Sequence, residues 1–179
     1  DIDTPLNGLI HNAGNMLDHC EYTAEGVEYI TSLHVVGPYL LSLGLKQQLE
    51  AGAGQGTSRV IFVSSGGMYT QGLKTAELFA PSGPYDGMRH YAHTKRAQVV
   101  LAEELHRRFR SKGVAVHSMH PGWVDTPAIR RAMPTFAFAF SPPEMDRGAL
   151  YEFQLNHVLR LEDPMAAFVL ETHELGASA

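Results

Sequence analysis

RVIFVSSGGMY, residues 59–69, joins a short, mostly apolar run to a loop of serines and glycines. The run, RVIFV (59–63), is too short for a helix and rich in β-branched residues, without the polar alternation of a half-exposed strand. It reads as a strand covered on both faces, the pattern of a parallel sheet. Two more such runs flank it, LNGLI (6–10) and VAVHSM (114–119). Long helical patterns separate the three, one over residues 24–50 with a break expected near Gly37–Pro38, the other over 87–111. Strand, helix, strand, helix, strand predicts right-handed crossovers and a parallel α/β sheet. AGAGQGTS (51–58) reads as a flexible connector, and the tail from Glu144 carries one more helical pattern without a clear strand. With 179 residues, no repeat and no boundary signal, the expectation is one domain over 1–179.

Composition narrows the function. A 44% hydrophobic content supplies a core, and a formal charge of −5 with the two signs interspersed disfavours nucleic acid or an anionic membrane as a partner. The one basic run, RRFRSK (107–112), ends the second helical pattern, where cations complement the helix dipole. Cys20 is the only cysteine, which excludes an internal disulfide and a cysteine zinc site and fits a reducing, cytoplasmic setting. No apolar run reaches the roughly 18 residues of a membrane span. The pairs His90/His93 and His117/His120 lack a zinc-protease spacing, so no metal site is expected.

In an open parallel sheet, ligands bind beyond the carboxyl ends of the strands. Those ends carry HNAG (11–14), SSGGMY (64–69) and HPGWVDTP (120–127), and each by itself could be an ordinary turn or loop. The helix between the second and third strands adds Tyr91 and Lys95, four apart and therefore on one face. Such a pair also arises by chance on exposed helices. If it is chemistry, the ammonium is expected to favour phenolate and to draw the phenol below its ordinary pKa of about 10. All these residues would gather at one edge of the sheet.

Taken together, Asn12-Ala13-Gly14, Ser64-Ser65, Tyr91-x-x-x-Lys95 and Pro121-Gly122 followed by Thr126 resemble the short-chain dehydrogenase/reductase family. The resemblance runs over about residues 1–134. It implies a Rossmann-like three-layer α/β/α fold and a cofactor, NADP or NAD with NADP preferred. It further implies interconversion of a small-molecule carbonyl and alcohol. By the same resemblance Ser65, Tyr91 and Lys95 are the catalytic set. Tyr91 exchanges a proton with the carbonyl oxygen, Ser65 orients that oxygen, and Lys95 lowers the Tyr91 pKa and bonds the nicotinamide ribose. Asn12, Ala13, Gly14, Tyr91, Lys95, Pro121, Gly122, Trp123, Val124 and Thr126 would hold the cofactor. Pairing of the Tyr91 helix in a homodimer is a further implication.

Two departures qualify this. The family places an asparagine that holds a relay water where this chain has His34, in SLHVVGPYLL; histidine can also hold a water and move protons. Upstream of Asn12 there is no Gly-x-x-x-Gly-x-Gly turn for the cofactor's pyrophosphate. The sequence thus reads as truncated at its amino-terminal side, with the 6–10 strand an uncovered apolar edge. Alternatives are a partner that completes the sheet, or an inactive relative that binds through this edge. Phe136, Phe138 and Phe140 alternate along AMPTFAFAF (132–140), either as the wall of a pocket for a lipophilic substrate or as an ordinary core or edge segment; Trp123 borders that pocket or simply packs.

Overall fold

The structure, a computed structural model, describes residues 3–121. The first compact unit of the chain is Asp1–His120. Its three strands are β1 (Gly8–His11), β2 (Ser58–Val63) and β3 (Val114–Met119). They pair in parallel in the order β1-β2-β3, with Leu9 opposite Val60 and Val60 opposite Val116. The helices are α1 (Tyr29–Thr31), α2 (Gly37–Gly44), α3 (Lys46–Gly54), α4 (Thr75–Phe79) and α5 (Gly87–Phe109). The expected Rossmann-like parallel sheet is therefore present. Among the described residues β1 and β3 are the edge strands, and Ile10 of β1 is 41% exposed.

Both crossovers step the same way across the sheet, so right-handedness places α3 and α5 on one face. That face holds the core: Leu49 of α3, Val60 and Phe62 of β2, Ala102, Leu105 and Phe109 of α5, and Val114 and Val116 of β3. Each large side chain buried there contributes roughly 1.5–3 kcal/mol. Gly52 lets α3 come close to the strand entry. A Cβ at this position would overlap the Leu6 carbonyl, while Leu6 N donates to Gln48 O at 2.9 Å and Asn7 Nδ2 to Gly52 O at 3.2 Å.

Helix α5 begins where the Asp86 side chain accepts from Arg89 N at 3.0 Å and ends on His106, Arg107 and Arg108. Arg107 and Arg108 are exposed and pair with Glu104, so the basic run is a solvated helix end, as its sequence suggested.

The first helical pattern departs from expectation at both ends. Residues 24–28 are not helical: Gly26 has a φ of 77°, Thr23 N donates to Val27 O at 2.8 Å, and Tyr22 bridges Glu28. Helix starts only at Tyr29 and continues past Glu50 to Gly54, absorbing half of the expected connector. The break near Gly37–Pro38 takes the form of a π turn, Ser32–Val36, in which Gly37 N donates to Ser32 O. Pro38 has no N–H for the His34 carbonyl, its partner in an α-helix, and Gln98 Nε2 takes that carbonyl instead at 2.9 Å.

Candidate functional site

The carboxyl ends of the strands are tied together by backbone. Ser64 N donates to Met119 O at 2.7 Å, Ser64 Oγ to Lys95 O at 2.8 Å, and Gly66 N to His120 Nδ1 at 3.2 Å. This fixes the β2 loop against both β3 and α5. Asn12, Ala13 and Gly14 follow β1 as an exposed turn, while Ser65 and Pro121 follow β2 and β3 and are half-buried. Gly122, Trp123, Val124, Thr126, Phe136, Phe138 and Phe140 lie outside the described residues.

Tyr91 and Lys95 sit one turn apart on α5 as their spacing requires. The Lys95 ammonium stands 5.6 Å from the Tyr91 ring centroid, and Ser65 hydrogen-bonds the Tyr91 hydroxyl. The expected lowering of the phenol is not found. Burial pushes Tyr91 upward, the Ser65 bond pulls it only partly back, and the ammonium lies toward the ring while its Nζ donates to Val63 O at 2.9 Å. Lys95 itself, 3% exposed, is lowered by burial to about 8.

His34 also differs from its expected part as a water carrier. It is fully buried, its Nδ1 is 2.8 Å from Thr94 Oγ1, and its Nε2 accepts from Asn15 N at 3.2 Å. Both ring nitrogens thus have protein partners. Burial, then the charges of Lys95 and His90, hold it well below the ordinary histidine range.

The histidine pairs have partners of other kinds. His90 Nε2 donates to Glu28 Oε2 at 2.7 Å, and His93 Nε2 accepts from Lys74 N at 2.8 Å. Glu28 has no exposed surface and also accepts from Thr31 N at 2.6 Å and Tyr85 OH at 3.1 Å. Sequence reading missed Glu28, Asn15, Thr94 and Gln98. Thr94 and Gln98 could have been found, since they stand three and seven residues after Tyr91, where helical spacing returns to its face.

A nicotinamide cofactor can be tested against these groups. Among the described residues the buried Lys95 ammonium has one hydrogen-bond acceptor, Val63 O, leaving two N–H groups for ligand hydroxyls. Gly14 opens the space beside it, because a Cβ there would lie 3.5 Å from Lys95 Nζ and 3.1 Å from His34 Nε2. Donor chemistry and clearance both fit the nicotinamide ribose end of such a cofactor.

The short chain dehydrogenase family profile matches residues 2–135. Human dehydrogenase/reductase SDR family member 12 is 44% identical over 137 residues, 75% of this chain and 41% of that protein. Among solved structures, an uncharacterized protein from Mycobacterium paratuberculosis aligns with a TM-score of 0.59 at 25% identity, over 80% of this chain and 53% of that one. The NADPH-bound carbonyl reductase from chicken fatty liver aligns with a TM-score of 0.54 at 24% identity, over 70% and 50%. The chain spans less than half the length of the human relative.

Proposed function

The chain belongs to the short-chain dehydrogenase family, and from that premise we propose that it forms the nicotinamide side of an NAD(P)-dependent oxidoreductase interconverting a carbonyl and an alcohol. The observation that carries this reading is the grouping of Ser65, Tyr91 and Lys95, with the Gly14 turn beside the ammonium. The family match favours this reading over an interaction protein that merely keeps the scaffold.

Bound cofactor supplies the hydride equivalent, and this chain's residues handle the oxygen and its proton. Ser65 Oγ orients the carbonyl oxygen. Tyr91, protonated at neutral pH as an ordinary phenol is and raised further by burial, donates its hydroxyl proton to that oxygen during reduction and takes it back during oxidation. Lys95 holds ribose hydroxyls through its two remaining N–H groups. Phe136, Phe138 and Phe140 favour a lipophilic substrate.

Titration of the purified protein with NADPH and with NADH, followed by cofactor fluorescence, is expected to saturate, with NADPH the tighter. The Tyr91→Phe/Lys95→Ala double variant is expected to lose binding. A folded, monodisperse sample that binds neither cofactor up to about 1 mM, the upper end of ordinary KM values, would sink the reading.

A further inference from the structure

His34 joins two parts of the candidate site, the turn after β1 and helix α5. From one side its Nε2 accepts the Asn15 N–H, the amide just beyond the Asn12–Gly14 turn. From the other its Nδ1 meets Thr94 Oγ1, and its ring stands edge-on to Tyr91 at 5.4 Å between centroids and 78° between planes. The Thr94 hydroxyl donates to Tyr91 O at 2.8 Å, so its proton is committed and the histidine must be the donor between them. With Nε2 accepting a backbone N–H, both ends require the same tautomer, proton on Nδ1 and lone pair on Nε2. The backbone of the same residue is held too, through Gln98 Nε2 on its carbonyl.

This geometry leaves no place for a second ring proton. An N–H at Nε2 would face the Asn15 N–H across 3.2 Å, with the Lys95 ammonium close by. The charged groups felt by the ring are Lys95 and His90, both on α5. Neither is an anion that would stabilise an imidazolium.

We propose that His34 is a positioning residue, a single-tautomer strut between the turn after β1 and helix α5 that fixes the Tyr91 ring and the cofactor-facing turn relative to one another. The inference rests on the proposed roles of Tyr91 and Lys95. Its action is through Tyr91, Thr94 and Asn15, and it transfers no proton itself.

The ring can be observed directly in the purified protein by long-range proton–nitrogen NMR, with its signals assigned by their loss in His34→Asn. The expected pattern is a protonated Nδ1 and an unprotonated Nε2 throughout the pH range in which the protein stays folded. An Nε2–H tautomer, or an imidazolium at neutral pH, overturns the proposal without reference to any variant's activity. A second readout is the Tyr91 phenolate midpoint, taken as the absorbance difference between wild type and Tyr91→Phe, each with and without His34→Leu.

That midpoint is expected to move in His34→Leu and to return toward wild type in His34→Gln, which restores an acceptor and a donor. Turnover should follow, with kcat reduced about 10- to 100-fold in His34→Leu, the scale of a slight misplacement, and carbonyl KM changed less than about 2-fold. A folded His34→Leu protein with midpoint and kcat unchanged overturns the proposal. If His34→Leu does not fold, Thr94→Val replaces it, with the same midpoint shift expected. Intact turnover in Tyr91→Phe would instead defeat the catalytic reading, while the tautomer and midpoint results would still decide whether the strut exists.

Discussion

Tyr91→Phe is expected to retain the fold and to lose about 10²- to 10⁴-fold in turnover, the range attributable to one positioned proton donor. The substitution removes a single oxygen. The ring that stands against His34 stays, as do the Thr94 and Lys95 side chains and their partners, Tyr91 O and Val63 O. The lost interaction is the hydroxyl's bond with Ser65, worth about 1 kcal/mol at a half-buried site. Melting temperature should therefore move by a few degrees at most, while kcat falls and cofactor affinity, held by Lys95, changes little. A loss smaller than about 3-fold, with the fold intact, would remove Tyr91 from the reaction.

The pH profile should show the same division of labour. As pH rises, Lys95, at about 8, gives up its charge before the upward-shifted Tyr91 gives up its proton. Cofactor affinity is thus expected to weaken at mildly alkaline pH, ahead of proton donation. The reverse order, with proton donation failing first, would count against these assignments.

Glu28→Ala is expected to destabilise the protein by about 3 kcal/mol or more, since three donors lose one buried acceptor and each such loss costs roughly 1–3 kcal/mol. Thr31 N, Tyr85 OH and His90 Nε2 would all lose the Glu28 carboxylate, which has no exposed surface. Glu28→Gln keeps an acceptor oxygen but not the charge, and should cost less, about 1–3 kcal/mol. The two can be ranked by urea denaturation.

Burial alone would raise the Glu28 carboxyl, but the Thr31 and Ile30 amides and the His90 ring outweigh it, and the net direction is down. A carboxyl lower when folded than unfolded stabilises fully above its unfolded pKa and loses that contribution as pH falls through the folded one. The wild type should therefore exceed Glu28→Gln most at neutral pH, with the gap closing in acid. A gap that widened as pH fell would contradict the assignment.

Much of this was legible in the sequence because it depends on near neighbours. RVIFV and VAVHSM are mostly apolar at both alternations, so their strands announced themselves, and Tyr91 with Lys95 needed only helical spacing. What could not be read depends on distant partners. Residues 24–28 were counted as helix from their local pattern, whereas the Tyr22–Glu28 bridge and the Gly26 backbone hold them in a turn. Glu28 lies within the expected helical pattern over 24–50, and its partner His90 is 62 residues away. The direction of the Tyr91 shift was misjudged for a related reason. Spacing located the ammonium near the ring, but its pull toward Val63 O and the burial of the phenol come from the sheet and the loop after β2.

The π turn at Ser32–Val36 has a consequence for chains of slightly different length. Such a turn is one residue wider than an α turn, so a chain one residue shorter here could close an ordinary ladder and keep the helix on either side in step. The surplus residue is therefore dispensable to the helix but not to its neighbours. Its loss would rotate the His34 ring from its place between Asn15 and Thr94 and withdraw the carbonyl from Gln98. A single-residue deletion that left helicity untouched could thus disconnect the two halves of the site, something that alignment scores based on helical content would pass as neutral.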